Sequence, residues 1–114
     1  MTDVRVVYVT APDAEVGARL GRAVVEAGLA ACVNLVPGLR SIYWWEGKVH
    51  DDAEVLLIVK TTAAQLDALR DHLVALHPYT VPEVIALPVV AGHEPYLEWV
   101  RASARRRPSD SPSG

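Results

Sequence analysis

The stretch from Ala31 to Thr62 constrains this chain more than any other. It reads as two long strands joined by a tight turn. Val33, Leu35 and Val36, then Ile42, Tyr43, Trp44 and Trp45, favour a pleated, packed surface. The return arm, Glu54 to Thr61, is close to a continuous apolar run, the pattern of a central strand. Between the arms, Glu46-Gly47-Lys48 supplies the glycine a hairpin turn needs, because glycine takes positive φ at little cost. Pro37-Gly38 falls inside the first arm. Proline donates no ladder hydrogen bond, so the pair predicts a bulge or bend. Ser41, Tyr43 and Trp45 then share one face, with Ile42 and Trp44 on the other. Aromatic residues on both faces predict that the outer half, Leu39 to Val49, is covered on both sides, in part by another subunit. His50-Asp51-Asp52 is expected to interrupt the return strand as a solvated loop tip.

The rest of the chain supplies partners for this hairpin. Arg5 to Ala11 is β-branched and aromatic and predicts a first strand, with Val7 and Val9 on one face and Val6 and Tyr8 on the other. Pro12-Asp13 opens a helix whose apolar residues Val16, Leu20, Val24 and Ala27 recur at helical spacing, ending at Gly28. Thr62-Ala63-Ala64-Gln65 matches a capping box ahead of a second helix with Leu66, Leu69, Leu73 and Leu76 on one face. His77-Pro78 stops it. Val84 to Leu87 predicts a fourth strand, and Gly92 and Pro95 frame a third helix carrying Tyr96, Trp99 and Val100. Strand–helix–strand–strand–helix–strand plus a terminal helix is the α+β, ferredoxin-like βαββαβ pattern. The crossover rule puts both connecting helices on one side of the sheet. The other side is left apolar and bare, which predicts a closed homo-oligomer.

The chain has 114 residues, enough for one domain, expected over 1–104; residues 105–114 form a low-complexity tail expected to be disordered. Hydrophobic residues make up 51% of it, high enough to call for burial against another subunit. The formal charge is −3, and the tail holds three arginines against one aspartate, so the body is acidic. That disfavours nucleic acid as a partner. No apolar run has the roughly 20 residues of a membrane helix. A lone cysteine, Cys32, and an N-terminus without signal-peptide features predict a reduced, cytoplasmic protein.

Several separated motifs occur in one order: Ala31-Cys32-Val33-Asn34, Pro37-Gly38, Ser41-Ile42-Tyr43, Trp45-Glu46-Gly47, Glu54, Lys60-Thr61, His77-Pro78-Tyr79, Pro82-Glu83 and Tyr96-Leu97-Glu98-Trp99. On these the chain, from about Val6 to Val100, resembles the CutA family of divalent-cation tolerance proteins. The resemblance implies a ferredoxin-like homotrimer packed around a threefold axis. It implies an arrangement like that of the PII signalling proteins, which bind small effectors between subunits. It also implies a link to metal tolerance, with copper binding attributed to the family.

Catalytic signatures are missing from the sequence: it has no nucleophile elbow and no phosphate loop, and a non-enzymatic role with no obligatory cofactor is expected. For a metal such as copper, Cys32 and His77 are the candidate ligands. Each also has a structural reading, Cys32 as a small core residue and His77 as a helix C-terminal residue. Tyr43, Trp45, Glu54, Lys60, Tyr79 and Glu83 are polar or amphipathic residues set in otherwise apolar stretches. Aromatic walls with a few charges are what a small-molecule cleft requires. Packing and pairing across a subunit boundary would use the same residues, and a cleft between subunits satisfies both readings.

Overall fold

The computed structural model describes residues 1–107. The elements are β1 (Val4–Ala11), α1 (Ala14–Glu26), β2 (Cys32–Trp45), β3 (Lys48–Thr62), a short 3-10 turn at Ala63–Gln65, α2 (Leu66–Leu76), β4 (Val84–Pro88) and α3 (Glu94–Ser103). The strands form one antiparallel sheet in the order β2-β3-β1-β4. With βαββαβ connectivity this is the split-βαβ arrangement that the sequence predicts.

Alternation along each strand decides the layers. Val7, Val9 and Ala11 of β1 and Val55, Leu57, Val59 and Thr61 of β3 are buried beneath the helices. Leu20 and Val24 of α1 and Leu69 and Leu73 of α2 complete that core. Each such side chain, removed from water, contributes about 1.5–3 kcal/mol. Asp13 caps α1, its carboxylate accepting from the Val16 N–H at 2.9 Å. A smaller cluster, Val4, Ala31, Leu97, Val100 and Ala104, packs α3 on one end of the opposite face, with Cys32 against it. The remainder of that face carries Val6, Tyr8, Leu56 and Ile58, half-buried, and Ile85 and Leu87, exposed.

β2 and β3 run together from Cys32↔Lys60 to Trp45↔Lys48, and the register slips once, between Val36 and Leu39. Pro37-Gly38 is therefore a bulge. Before it, Val33 and Leu35 face the helices. After it the parity changes, and Leu39, Ser41, Tyr43 and Trp45 lie on the open face beside Glu54. Glu46 and Gly47, at φ 50° and 80°, make the two-residue turn. Beyond the helices the hairpin is an arm exposed on both sides: Ile42, Trp44 and Val49 on one face are 66%, 70% and 64% exposed, and Tyr43 and Trp45 on the other 41% and 43%.

Three local expectations change. His50-Asp51-Asp52 is not a loop tip; it lies inside a continuous β3, paired across from Tyr43, Ile42 and Ser41. Arg40 holds Asp51 in a bidentate pair (2.8 and 2.7 Å), and this offsets the charge of an acidic strand segment. Thr62 and Gln65 do not form a capping box: the Thr62 side chain caps nothing, and Gln65 reaches the Ala104 carbonyl at 3.3 Å. The intervening 3-10 turn displaces the start of α2, so the box spacing has no α-helical first turn to close on. Leu76, placed on the buried face by its spacing, is exposed in the last turn of α2. In the tail, Arg105–Arg107 run along the end of α1, where Arg107 donates to the Val25 carbonyl at 3.1 Å; residues 108–114 lie outside the described residues.

Gly28 ends α1 at φ 74°, and a Cβ added there would land on the Arg105 carbonyl oxygen. Gly28→Ala should therefore cost more than the left-handed strain of about 1–2 kcal/mol. Gly47→Ala, at φ 80° with nothing within 4 Å of the added carbon, should cost that strain only. Urea denaturation of both variants checks the difference.

Candidate functional site

The parity change at Pro37-Gly38 aims Ser41, Tyr43 and Trp45 over Thr10 and Glu54, which occupy the same face on β1 and β3. The far wall is the segment between α2 and β4. Together they enclose a cleft of about 680 Å³ lined by Thr10, Ser41, Ile42, Tyr43, Trp45, Glu54, Pro78, Tyr79, Thr80, Val81 and Glu83. Five of the six residues expected in a cleft are thereby brought together: Tyr43, Trp45, Glu54, Tyr79 and Glu83.

Lys60 is not among them. It shares a face with Glu54 but lies about 20 Å farther along β3. There it faces Cys32 across the ladder and donates to Asn34. Sequence position places Glu54 and Lys60 symmetrically about the apolar middle of the strand. Only the bulge and the second wall give one end a cleft.

Phenol–carboxylate hydrogen bonds order the cleft. Tyr79 donates to Glu54 Oε2 at 2.6 Å, and Tyr43 donates to Asp52 Oδ2 at 2.5 Å. Burial, with the Glu54 contact second, holds the Tyr79 phenol protonated well above the ordinary tyrosine range. The hydrogen bond to Asp52, ahead of burial, raises the Tyr43 phenol as well. Desolvation pushes the Glu83 carboxyl up, and the Glu54 charge adds to it. His50 stacks on Tyr43, ring centroids 5.2 Å apart, and donates from Nε2 to the Trp45 carbonyl at 3.0 Å.

His77, 8% exposed, holds the second wall in place. Its Nε2 donates to the Thr10 carbonyl at 2.7 Å, and its Nδ1 accepts from the Tyr79 N–H at 3.1 Å. Both ring nitrogens are engaged, so in this arrangement neither is free to ligate. Cys32 lies at the other end of the sheet. Its ladder partner Lys60 faces Val6, whereas His77 bonds Thr10, roughly 13 Å farther along β1. One chain does not bring the two candidate copper ligands together. Among the described residues no three His, Cys, Asp or Glu side chains converge as metal ligands.

Asp52, which orients Tyr43, and Thr10, which binds His77 and lines the cleft, were not identified from the sequence. For Asp52 the available signal is the alternation Val49, Asp51, Ala53, Val55, which extends β3 back to the turn and places Asp52 on the Tyr43 face. Thr10 has no comparable signal, because its role depends on β1 pairing with β3.

Two expectations follow. In an ultraviolet absorbance titration, Tyr79→Phe should remove a phenol that ionises above the ordinary value of about 10, and Glu54→Gln should lower that ionisation. A carboxyl whose pKa is raised by folding binds its proton more tightly in the fold, so its ionisation destabilises as pH rises. Glu83→Gln should therefore have a higher urea midpoint than the parent at neutral pH. The advantage should vanish as pH falls towards the carboxylate range near about 4.

Comparison with known proteins agrees with this architecture. The sequence model described as CutA1 divalent ion tolerance protein matches residues 5–103. The chain is 58% identical over 100 residues to Protein CutA 1, chloroplastic, of Oryza sativa, covering 88% of this chain and 56% of that protein. It thus spans a little over half the length of that plant relative. It is 53% identical over 96 residues to the divalent-cation tolerance protein CutA of Thermus thermophilus, covering 84% of this chain and 93% of that one. The crystal structure of CutA1 from Oryza sativa superposes with a TM-score of 0.87 at 57% identity, covering 90% and 94% of the two chains. No helix of the described residues is long and apolar enough to cross a membrane. The chain belongs to the CutA1 divalent ion tolerance family.

Proposed function

We propose that this chain acts in divalent-cation tolerance as a non-catalytic binding protein, and that its working site is the cleft between the hairpin arm and the Pro78–Glu83 segment. The observation that carries this reading is the convergence of Tyr43, Trp45 and Glu54 with Tyr79 and Glu83 around about 680 Å³. That volume is in the range of small-molecule sites. Tyr43, Glu54 and Tyr79 within it are oriented by hydrogen bonds, as a preformed site requires. A PII-like sensor that takes a small effector beside a subunit boundary is the function that fits.

The assembly we propose is a homotrimer. Val6, Tyr8, Leu56, Ile58, Ile85 and Leu87 form an apolar face that neither helix layer covers, and the arm is exposed on both sides. Burying such a face in a closed ring satisfies both. The cytoplasm is the proposed compartment, from the lone, unpaired Cys32.

Copper binding is a second reading, favoured by the divalent ion tolerance of the family. Built from Cys32 and His77, a copper site needs the two residues from different chains and a release of His77 from Thr10 or Tyr79. Calorimetric titration with copper under reducing conditions separates the readings. The cleft reading expects Cys32→Ala and His77→Asn to leave copper binding as weak as that of an ordinary histidine-containing protein. Tight binding lost in either variant would establish the copper site instead. Light scattering at micromolar concentration should give three times the mass of one chain; the mass of a single chain would overturn the trimer.

A further inference from the structure

We propose that the cleft takes a small organic cation, a primary or quaternary ammonium compound, in preference to an anion or a bare metal ion. This rests on the reading of the cleft as the effector site and specifies its chemistry.

The charged groups available to a ligand are acceptors. Glu54 and Glu83 are carboxylates, and none of the described lining residues is Lys, Arg or His. The two phenols do not serve as donors to a ligand, since Tyr79 gives its proton to Glu54 and Tyr43 gives its proton to Asp52. What remains facing the cleft is carboxylate and phenol oxygen, with only neutral donors alongside, the Trp45 indole and the Thr10, Ser41 and Thr80 hydroxyls. An anionic effector such as a nucleotide or dicarboxylate would meet repulsion and few donors. A cation would relieve the unfavourable approach of Glu54 and Glu83; burial first, and the Glu54 charge after it, already raise the Glu83 carboxyl.

The walls decide between an organic cation and a metal. Tyr43, Trp45 and Tyr79 present aromatic rings to a cavity of about 680 Å³. Ring faces attract ammonium groups within about 6 Å, and their surface suits the carbon skeleton of such a ligand. A divalent transition metal needs several side-chain ligands at short range, and among the described residues no three His, Cys, Asp or Glu converge. The cleft is also far larger than a single ion, since one water occupies about 30 Å³.

Calorimetry on the full chain with 1,4-diaminobutane, and with succinate as a dianion of similar length, tests this. Saturable binding of the diamine is expected, weakened at least tenfold by Glu54→Gln and by Glu83→Gln, with no binding of succinate. Gln at Glu54 still accepts from Tyr79, and a cooperative melting transition no lower than the parent's in either variant shows that lost binding is not lost folding. Trp45→Leu should weaken the diamine as well, which a purely electrostatic attraction would not require. Binding of succinate at the same site, strengthened in Glu83→Gln, would overturn the cation assignment while leaving the cleft as a site. Diamine binding indifferent to all three substitutions would overturn it too. Failure of both probes, with copper binding that depends on Cys32, would overturn the cleft reading itself.

Discussion

The register slip between Val36 and Leu39 is the constraint on which the working part of this structure depends. A strand side chain has only two faces to choose from, so one extra residue moves every later side chain to the other side. Without the slip, Tyr43 and Trp45 would point to the helix side of an arm that no helix reaches, and Ile42 and Trp44 would lie over Glu54. With it, β2 packs Val33 and Leu35 under α1 and still delivers aromatic walls to the open face. Proline and glycine at this point relieve the ladder of a donor and permit the local backbone geometry, so the cost of the irregularity is small.

The second wall is held by hydrogen bonds rather than by burial. His77 ties the end of α2 to the Thr10 carbonyl and, through its other nitrogen, positions the Tyr79 backbone. Tyr79 in turn reaches across to Glu54. The chain of contacts runs from β1 through the histidine to the phenol and back to β3, so the cleft is closed on itself by the same sheet that forms its floor. This also accounts for a histidine that resembles a ligand in sequence and behaves as a bracket in the fold. A buried imidazole with both nitrogens satisfied would lose a good hydrogen bond, worth about 1 kcal/mol net, before it could take a metal.

Much of the architecture was legible because each element has its own local reason. Strand alternation in β1, helical spacing in α1 and α2, the Gly47 turn and the Pro37-Gly38 bulge each leave a pattern in a few consecutive residues. The misreadings came where two local patterns competed. Asp51 and Asp52 look like a loop because acidic pairs usually face water, yet cross-strand contacts to Arg40 and Tyr43 keep them in a strand. Thr62 and Gln65 have capping-box spacing, yet the intervening 3-10 turn takes Gln65 to Ala104. In the cleft, Tyr43, Trp45, Glu54, Tyr79 and Glu83 stood out as polar or aromatic residues in apolar stretches, and so did Lys60, which the fold carries to the opposite end of the sheet.

Order, type and facing of the elements are properties of the sequence by itself, because periodicity and turn chemistry act over a handful of neighbouring residues. So is the acidity of the body and the presence of a bare apolar sheet face, which follows from two crossover helices on one side. Which residues meet is a tertiary decision. Cys32 and His77 look like one metal pair on paper and are parted by about half the length of β1, while Asp52, read as part of a loop tip, and Thr10, unremarked in the sequence, orient Tyr43 and His77. Contacts between residues far apart in the chain depend on strand register and on where the bulge falls, and those are settled only when all four strands pair.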